Sequence, residues 1–491
     1  MTIRNIKRVT GIAALLLILG ACSSNSGQDN GANTPGAVND GGSNTGSVTN
    51  TSSGTGAGSG PSTTNPNGGV VNISQIKFLS ANDVWRTDGT ADGTMLVKDT
   101  NATSVGNSFP YGYKEFNGAV YFQSNDGVNG FELWKSDGTT NGTVLVKNIN
   151  NTGNQASAFH YRFSDFTVFN GALYFQADNG VNGFEIWKTD GTDAGTVMLK
   201  DINPAGSSSP TDFTSMNGAL YFRADAGNGA RLWKTDGTNA GTVMVKDLKI
   251  ATATTMAPDD RMRGFPVLNG ELYFSADDGV HGYELWKSDG TAAGTVMVKD
   301  INPVSAAGSS PAEFIVFNGA LYFEANDGMN GVELWKSDGT ADGTTMVKDI
   351  NSIGPGFGSI PASFIILNGA LCFQATDGVN GYELWKTDGT SAGTTMVKDI
   401  NVENGARFSE YRFTDLTILN GALYFQANDH VNGPALWKTD GSAAGTVLLK
   451  SINTGLTNFF VLNGALYFQS GASLWKSDGT AAGTVLVKNF N

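Results

Sequence analysis

GFELWKSDGTTNGTVLVKNIN occupies residues 130–150, and the phrase at its centre recurs along the whole chain. Its tryptophan is found at Trp85, Trp134, Trp187, Trp233, Trp286, Trp335, Trp385, Trp437 and Trp475, which are all nine tryptophans of the 491-residue sequence. Each opens W-[KR]-[ST]-D-G-[TS] and is followed by Gly-Thr and an apolar run ending in Lys. Successive tryptophans are 49, 53, 46, 53, 49, 50, 52 and 38 residues apart. A residue confined to one slot of a repeat serves one packing purpose, and a period near 50 residues points to a repeat architecture.

One unit reads as four short strands, a to d. FTVFNGALYFQAD (166–178) holds two apolar runs joined by Asn170-Gly171, a pair suited to a type I′ hairpin. The same Asn-Gly stands at Asn117, Asn217, Asn269, Asn318, Asn368, Asn420 and Asn463. NGVNG then leads into FEIWKTD, and GTDAGT turns the chain into VMLKDIN. No window of the mature chain has the three- and four-residue apolar steps of a helix. Repeated four-stranded antiparallel units of this length predict an all-β fold, a β-propeller, in which radial stacking buries both faces of each sheet. A β-solenoid competes, but its rungs are shorter and lack Asn-Gly hairpins. Alternation in strand c puts Glu185 and Trp187 on one side and Ile186 and Lys188 on the other, with the indole filling the gap between blades. Lys200 and Asp201 suit strand d as an exposed outer edge.

Nine motifs predict nine blades, with eight plus an appended hairpin as the alternative; propellers usually have four to eight. The first copy has no FNG, and only Val70–Asn72 could supply its strand a. First and last copies share a short b–c connection, as a closing pair would.

The consensus E-[LI]-W-[KR]-[ST]-D-G-T-x-x-G-T resembles the ELWxxDGT repeat of bacterial surface proteins, over nearly all of residues 76–491. Its S-D-G-T-x-x-G-T turn is also similar to the Asp-box hairpin of sialidase-type propellers, with different Gly and aromatic spacing. Both resemblances imply a structural motif, in which Asp137, Asp190, Asp236, Asp289, Asp338, Asp388, Asp440 and Asp478 bond the amides of their own turns. They do not form an acid/base array.

The N-terminus carries an export signal: Arg4, Lys7 and Arg8 precede an apolar run, Ile12–Leu19, too short to span a bilayer. Leu19-Gly20-Ala21-Cys22 resembles a lipoprotein lipobox, which implies cleavage after residue 21 and lipidation of Cys22. Ser23, rather than Asp, resembles the outer-membrane sorting pattern. Residues 22–69 form a Ser/Gly/Asn/Thr-rich tether expected to be disordered, with a reach of roughly 35–40 Å. The expected domains are thus a signal at 1–21, the tether at 22–69 and a propeller at 70–491. Anchoring through Cys22 implies an outer-membrane lipoprotein at the cell surface or on the periplasmic face, expected as a monomer.

The formal net charge is −14, and cleavage removes three cations and no acids, leaving −17. That balance argues against nucleic acid or an anionic lipid surface as partner. With Cys22 lipidated, Cys372 has no disulfide partner; it replaces the Tyr of NGALYF and reads as a small buried hydrophobe.

In a meandering blade the d–a and b–c connections share one face and the a–b and c–d turns the other. The second set is monotonous and the first variable, so the first is the candidate functional face. Its b–c loops carry Asp126, Asp178, Asp277, Asp278, Asp327, Asp377 and Asp429. Turn capping accounts for these better than Ca²⁺, which wants several oxygens from one loop. The d–a loops include FHYRFSDF, APDDRMRGF and SEYRFTDL, and the candidate ligand residues there are Tyr161, Arg162, Arg261, Arg263, Tyr411 and Arg412. Rings beside guanidinium groups suit sugar stacking or carboxylate binding. The simpler reading, which the sequence favours, is that the Phe residues start strand a in the core and the Arg residues pair with local acids. His160, His281 and His430 show no metal-ligand spacing and no Ser-His-Asp set can be assembled, so neither catalysis, nor a metal, nor a cofactor is expected. The sequence reading is a lipid-anchored, non-catalytic binding or scaffold surface for a glycan, protein or peptide. The alternatives are a propeller-type carbohydrate-active enzyme and a periplasm-facing assembly scaffold.

Overall fold

The computed structural model describes residues 72–490, apart from 102, 104–106, 154–156, 160–164, 251–264, 401–415 and 430. They form a nine-bladed antiparallel β-propeller. Blade 6 is representative, with strand a at Ala312–Phe317, b at Ala320–Asn326, c at Val332–Ser337 and d at Thr345–Lys348, hydrogen-bonded in that order.

Local chemistry sets each turn. In all eight Asn-Gly hairpins Asn has φ between 44° and 53° and Gly between 73° and 80°, the left-handed pair of a type I′ turn. The c–d turn is a closed hydrogen-bond cycle. Asp338 Oδ1 accepts from the amide and hydroxyl of Thr340 at 2.8 and 2.7 Å, and Thr340 Oγ1 accepts from the Gly343 amide at 3.0 Å. Below it the hydroxyls of Ser337 and Thr344 bridge the strands at 2.8 Å. Both glycines are required: Gly339 has φ +92° and lies under the Tyr273 hydroxyl, and a Cβ on Gly343 would collide with the Asp338 carboxyl.

In eight blades strands b and c place Phe opposite Trp, as in Phe323↔Trp335, and in blade 1 Leu79 takes the Phe position opposite Trp85. Between c and d the register slips by one residue just before every Trp. This bulge turns Val347 into the core while Met346 stays half-buried.

The core lies between the blades. Trp335 packs with Leu268, Tyr273, Leu285, Val298 and Ile301 of the preceding blade. Nine such clusters fill nine interfaces, and the ninth joins Leu79 and Trp85 of blade 1 to Leu462, Tyr467 and Leu474 of blade 9. The ring closes with nine blades, and the copy at 77–98 belongs to it as a three-stranded blade rather than an appended hairpin.

Two expectations are corrected. Blade 1 has three strands, Lys77–Ser80, Val84–Thr87 and Met95–Lys98. Asn72 lies outside any strand and Ile73–Gln75 is a 3₁₀ turn; Ile73 and Ile76 instead pack directly against the cluster between blades 1 and 2. Secondly, the strand-d lysines do not guard a free edge. Lys299, Lys348 and Lys398 donate to the carbonyls of Thr344, Thr394 and Thr446 in the next blade at 2.7–2.8 Å. Lys246 and Lys348 also pass within 6 Å of the next blade's indole. Carbonyls at a turn need donors, and only a long side chain from the neighbouring blade reaches them. Strand-c lysines do the same: Lys336 donates to Gly389 O at 2.9 Å and Lys386 to Gly441 O at 2.8 Å. Asp201 likewise accepts from Asn182 Nδ2 at 2.8 Å.

Candidate binding face

The d–a and b–c loops lie together, opposite the c–d turns, and their backbone is held by buried acids. Glu333, fully buried in strand c, accepts from the amides of Ile350, Asn351 and Ser359 at 3.0, 3.3 and 2.9 Å and from Ser359 Oγ at 2.6 Å. One carboxylate thereby fixes both ends of the d–a loop leading to blade 7. Glu185 and Glu284 repeat the clasp with Ser208 and Ser309. Glu132 holds the amides of Ile149 and Asn150, and in blade 1 Asp83 accepts from Ser108 Oγ at 2.9 Å. Burial pushes Glu333 up to about 7 and Glu132 up to about 8, against the donors that pull them down. Sequence reasoning placed this Glu beside Trp but missed its task. The available signal was a carboxylate recurring in an apolar strand, with a Ser 23–26 residues onward.

Blade 4 departs. Arg231 stands in the Glu slot and Nε donates to Asp247 Oδ1 at 2.6 Å. A second arginine, Arg223, pairs with Asp212 at 3.0 Å. Strand a of blade 5 is then split into Lys249–Ile250 and Val267–Leu268, both paired to Glu271–Asp277. Arg261 and Arg263 fall between these two pieces in sequence.

The b–c loops are closed by their own acids. Asp327 Oδ1 accepts from the Met329 and Asn330 amides at 2.9 and 2.8 Å, and Oδ2 from Asn330 Nδ2 at 2.7 Å. Asp126, Asp377 and Asp429 do likewise, and Asp278 adds His281 Nδ1 at 2.8 Å, which raises the imidazole pKa. Asp178 and Asp277 cap Gly180 and Gly279. Capping is therefore the role these acids play in the structure. At the loop tips stand Val128, Val181, Val280, Met329, Val379 and Val431, between 56% and 82% exposed. The sequence shows Val128, Val280, Met329 and Val379 after Asp-Gly, Val181 after Asn-Gly and Val431 after Asp-His, a position that turn chemistry alone would leave polar.

Tyr161, Arg162, Arg261, Arg263, Tyr411 and Arg412 lie outside the described residues, as do Cys22, His160 and His430. Their flanks are fixed: Phe159 and Phe166 are buried with rings 5.9 Å apart, and Phe265 is buried between blades 4 and 5. Asp165 Oδ2 accepts from the Asp212 amide at 2.8 Å, tying blade 3 to blade 4 beside the Tyr-Arg-Phe segment. Among the described residues no group of three or more His, Cys, Asp or Glu could hold a metal ion, and no helix is long and apolar enough to cross a membrane.

No protein-family model and no curated protein matches the chain. Among solved structures it is similar to the computationally designed Ika8 protein at 12% identity and TM-score 0.39, over 77% of this chain and 96% of that one. It is similar to puromycin hydrolase at 14% identity and TM-score 0.37, over 78% and 60% of the two chains. A prolyl endopeptidase matches at 10% identity and TM-score 0.38, over 74% and 54%. The chain spans somewhat over half the length of those two enzymes, and none of the three assigns a role to a residue here. The class of protein that the fold defines is an all-β propeller of nine blades.

Proposed function

We propose that this is a lipid-anchored envelope protein of the ELWxxDGT-repeat kind, whose propeller presents its loop face as a binding or scaffold surface. One observation carries the reading. The exposed c–d turns spend their polar groups on their own hydrogen-bond cycles and on lysines of the preceding blade, whereas the loop face is clamped from beneath and leaves apolar tips in water. A rigid platform with unburied apolar side chains is suited to holding a partner. The lipobox at Cys22 and the polar tether supply the anchor, and the Tyr-Arg-Phe loops supply groups for a glycan or a carboxylate.

The test is a glycan array and a pull-down with the full mature chain, alongside fractionation of Cys22→Ala. The reading expects a ligand that Arg162→Ala and Arg412→Ala weaken with thermal stability within about 1 kcal/mol of the parent. It expects Cys22→Ala to leave the membrane fraction after a carbonate wash. Turnover of a glycan by the purified chain would replace it with a carbohydrate-active enzyme.

A further inference from the structure

One sector of the loop face differs from the rest. The d–a loops on either side of blade 6 each add exposed apolar side chains to the b–c tips: Val304 at 77%, Ile353 at 53% and Phe357 at 54%. These loops touch one another. Val304 packs over Gly328, next to Met329; the Met329 carbonyl accepts from the Gly356 amide at 2.9 Å; Phe357 follows, and Ile353 packs over Gly378, next to Val379. Val304, Met329, Phe357, Ile353 and Val379 therefore make a continuous apolar path across blades 5 to 7. The Glu333 clasp underneath fixes both ends of the loop that carries Ile353 and Phe357.

The segments that carry this path hold acids and no lysine or arginine. Residues 300–335 and 349–385 contain no lysine or arginine, yet include Asp300, Asp327, Asp349 and Asp377 in these same loops. The nearest lysines in sequence, Lys299, Lys336, Lys348 and Lys386, are bonded to turn carbonyls of the next blade on the opposite side. The burial of Asp327 is outweighed by the amides of Asn330 and Met329, which lower its carboxyl pKa. An apolar strip with an uncompensated acidic border complements a partner that is both apolar and cationic. Anionic lipid would be repelled.

We propose that the Val304–Met329–Phe357–Ile353–Val379 strip is a docking site for a basic, amphipathic polypeptide segment, with apolar side chains on the strip and Lys or Arg over the acidic border. This rests on the reading of the loop face as a binding surface and names the chemistry of its partner.

The test uses the full mature chain and three labelled peptides of equal length and helical periodicity, Leu/Lys, Ser/Lys and Leu/Glu, followed by fluorescence anisotropy. The site expects the Leu/Lys peptide to bind, the Ser/Lys and Leu/Glu peptides not to, and the affinity to fall with added salt. The double variant Met329→Ser, Phe357→Ser should weaken the Leu/Lys peptide by about tenfold or more. Val181→Ser, an equivalent tip on blade 3, should leave it unchanged, and both variants should unfold at the parent temperature. Equal binding of Leu/Lys and Leu/Glu, or the same loss in Val181→Ser as in the double variant, overturns the proposal. So does binding to phosphatidylcholine vesicles that the double variant abolishes while the peptide stays unbound, since the strip would then face a bilayer. A glycan-array ligand retained by the double variant would leave the broader binding role standing while this site falls.

Discussion

The hydroxyl of Tyr467 in the last blade donates to the carbonyl oxygen of Gly89 in the first at 3.0 Å, across 378 residues of sequence. Beside it Asn463 Nδ2 donates to Asp88 O at 3.1 Å. Every other interface joins neighbours in sequence, so this one converts a linear stack into a ring. Tyr467→Phe is expected to lower the unfolding free energy by about 1 kcal/mol, the net worth of one such bond. Leu79→Ala, in the same interface, should cost about 2–5 kcal/mol. Denaturant midpoints measure both; an unchanged midpoint for Leu79→Ala would mean that the terminal blades do not hold the ring.

Trp335 is 7% exposed and sits between blades 5 and 6. Trp335→Ala should cost about 3–5 kcal/mol as a large-to-small core change. Asp338→Ala, in the exposed turn, should lower the midpoint by much less and leave the Leu/Lys peptide's affinity intact, because that turn is on the opposite face.

Seven blades place a Tyr hydroxyl over the turn glycine of the next blade, at Gly191, Gly237, Gly290, Gly339, Gly389, Gly479 and Gly89. Blade 7 has Cys372 instead, and above Gly441 the nearest atom is Leu367 Cδ2 at 3.8 Å from an ideal Cβ. Cys372→Tyr restores the repeat's own filling and should stabilise by about 0.5–2 kcal/mol. Burial pushes the Cys372 thiol up to about 11, so in the parent it should resist thiol reagents until the propeller unfolds. Destabilisation by Cys372→Tyr would show that the neighbouring side chains already fill the space.

The two kinds of repeated acid respond to pH in opposite directions. Hydrogen bonds from the turn threonines lower Asp190, Asp236, Asp289, Asp338, Asp388 and Asp478 below the ordinary 3.8, so their contribution is present above that value and is lost as pH falls. Burial raises Glu333 from 4.5 to about 7 and Glu132 to about 8, so their contribution is full below 4.5 and declines as pH rises through those values. Thermal stability is therefore expected to peak in the mildly acidic range and to decline towards pH 8. Glu333→Gln should flatten part of the upper limb, while costing about 1–3 kcal/mol at pH 5 through amide donors left facing an NH₂ group. A melting temperature that is level from pH 5 to 8 in both proteins would refute this account.

Much of the architecture was legible because it is local chemistry repeated. Asn-Gly dictates the hairpin, Ser-Asp-Gly-Thr-x-x-Gly-Thr dictates the c–d turn, and period-two alternation puts Phe opposite Trp. The acids of the b–c loops were legible as caps for the same reason, since an Asx turn is closed within three residues of its start. The candidate binding face was legible as a face, through its variability. Its candidate contacts at 161–162, 261–263 and 411–412 lie outside the described residues and rest on the sequence alone.

What the sequence determined by itself is the blade: strand lengths, turn types, the slot that carries the indole, and the replacement of Tyr by Cys at position 372. Only the tertiary structure decided how blades meet. The number nine depends on whether Leu79 reaches Leu462, which no local pattern encodes. The lysines of strands c and d read as solvated edge charges because their acceptors belong to turns some 40–60 residues away in the chain. The bulge before each Trp is invisible in an apolar run, yet it selects which side chain of strand d enters the interface. The Glu clasp and the apolar strip of blades 5 to 7 have the same origin. Each joins segments that the chain separates and that only the radial packing of whole sheets brings within hydrogen-bond or van der Waals distance.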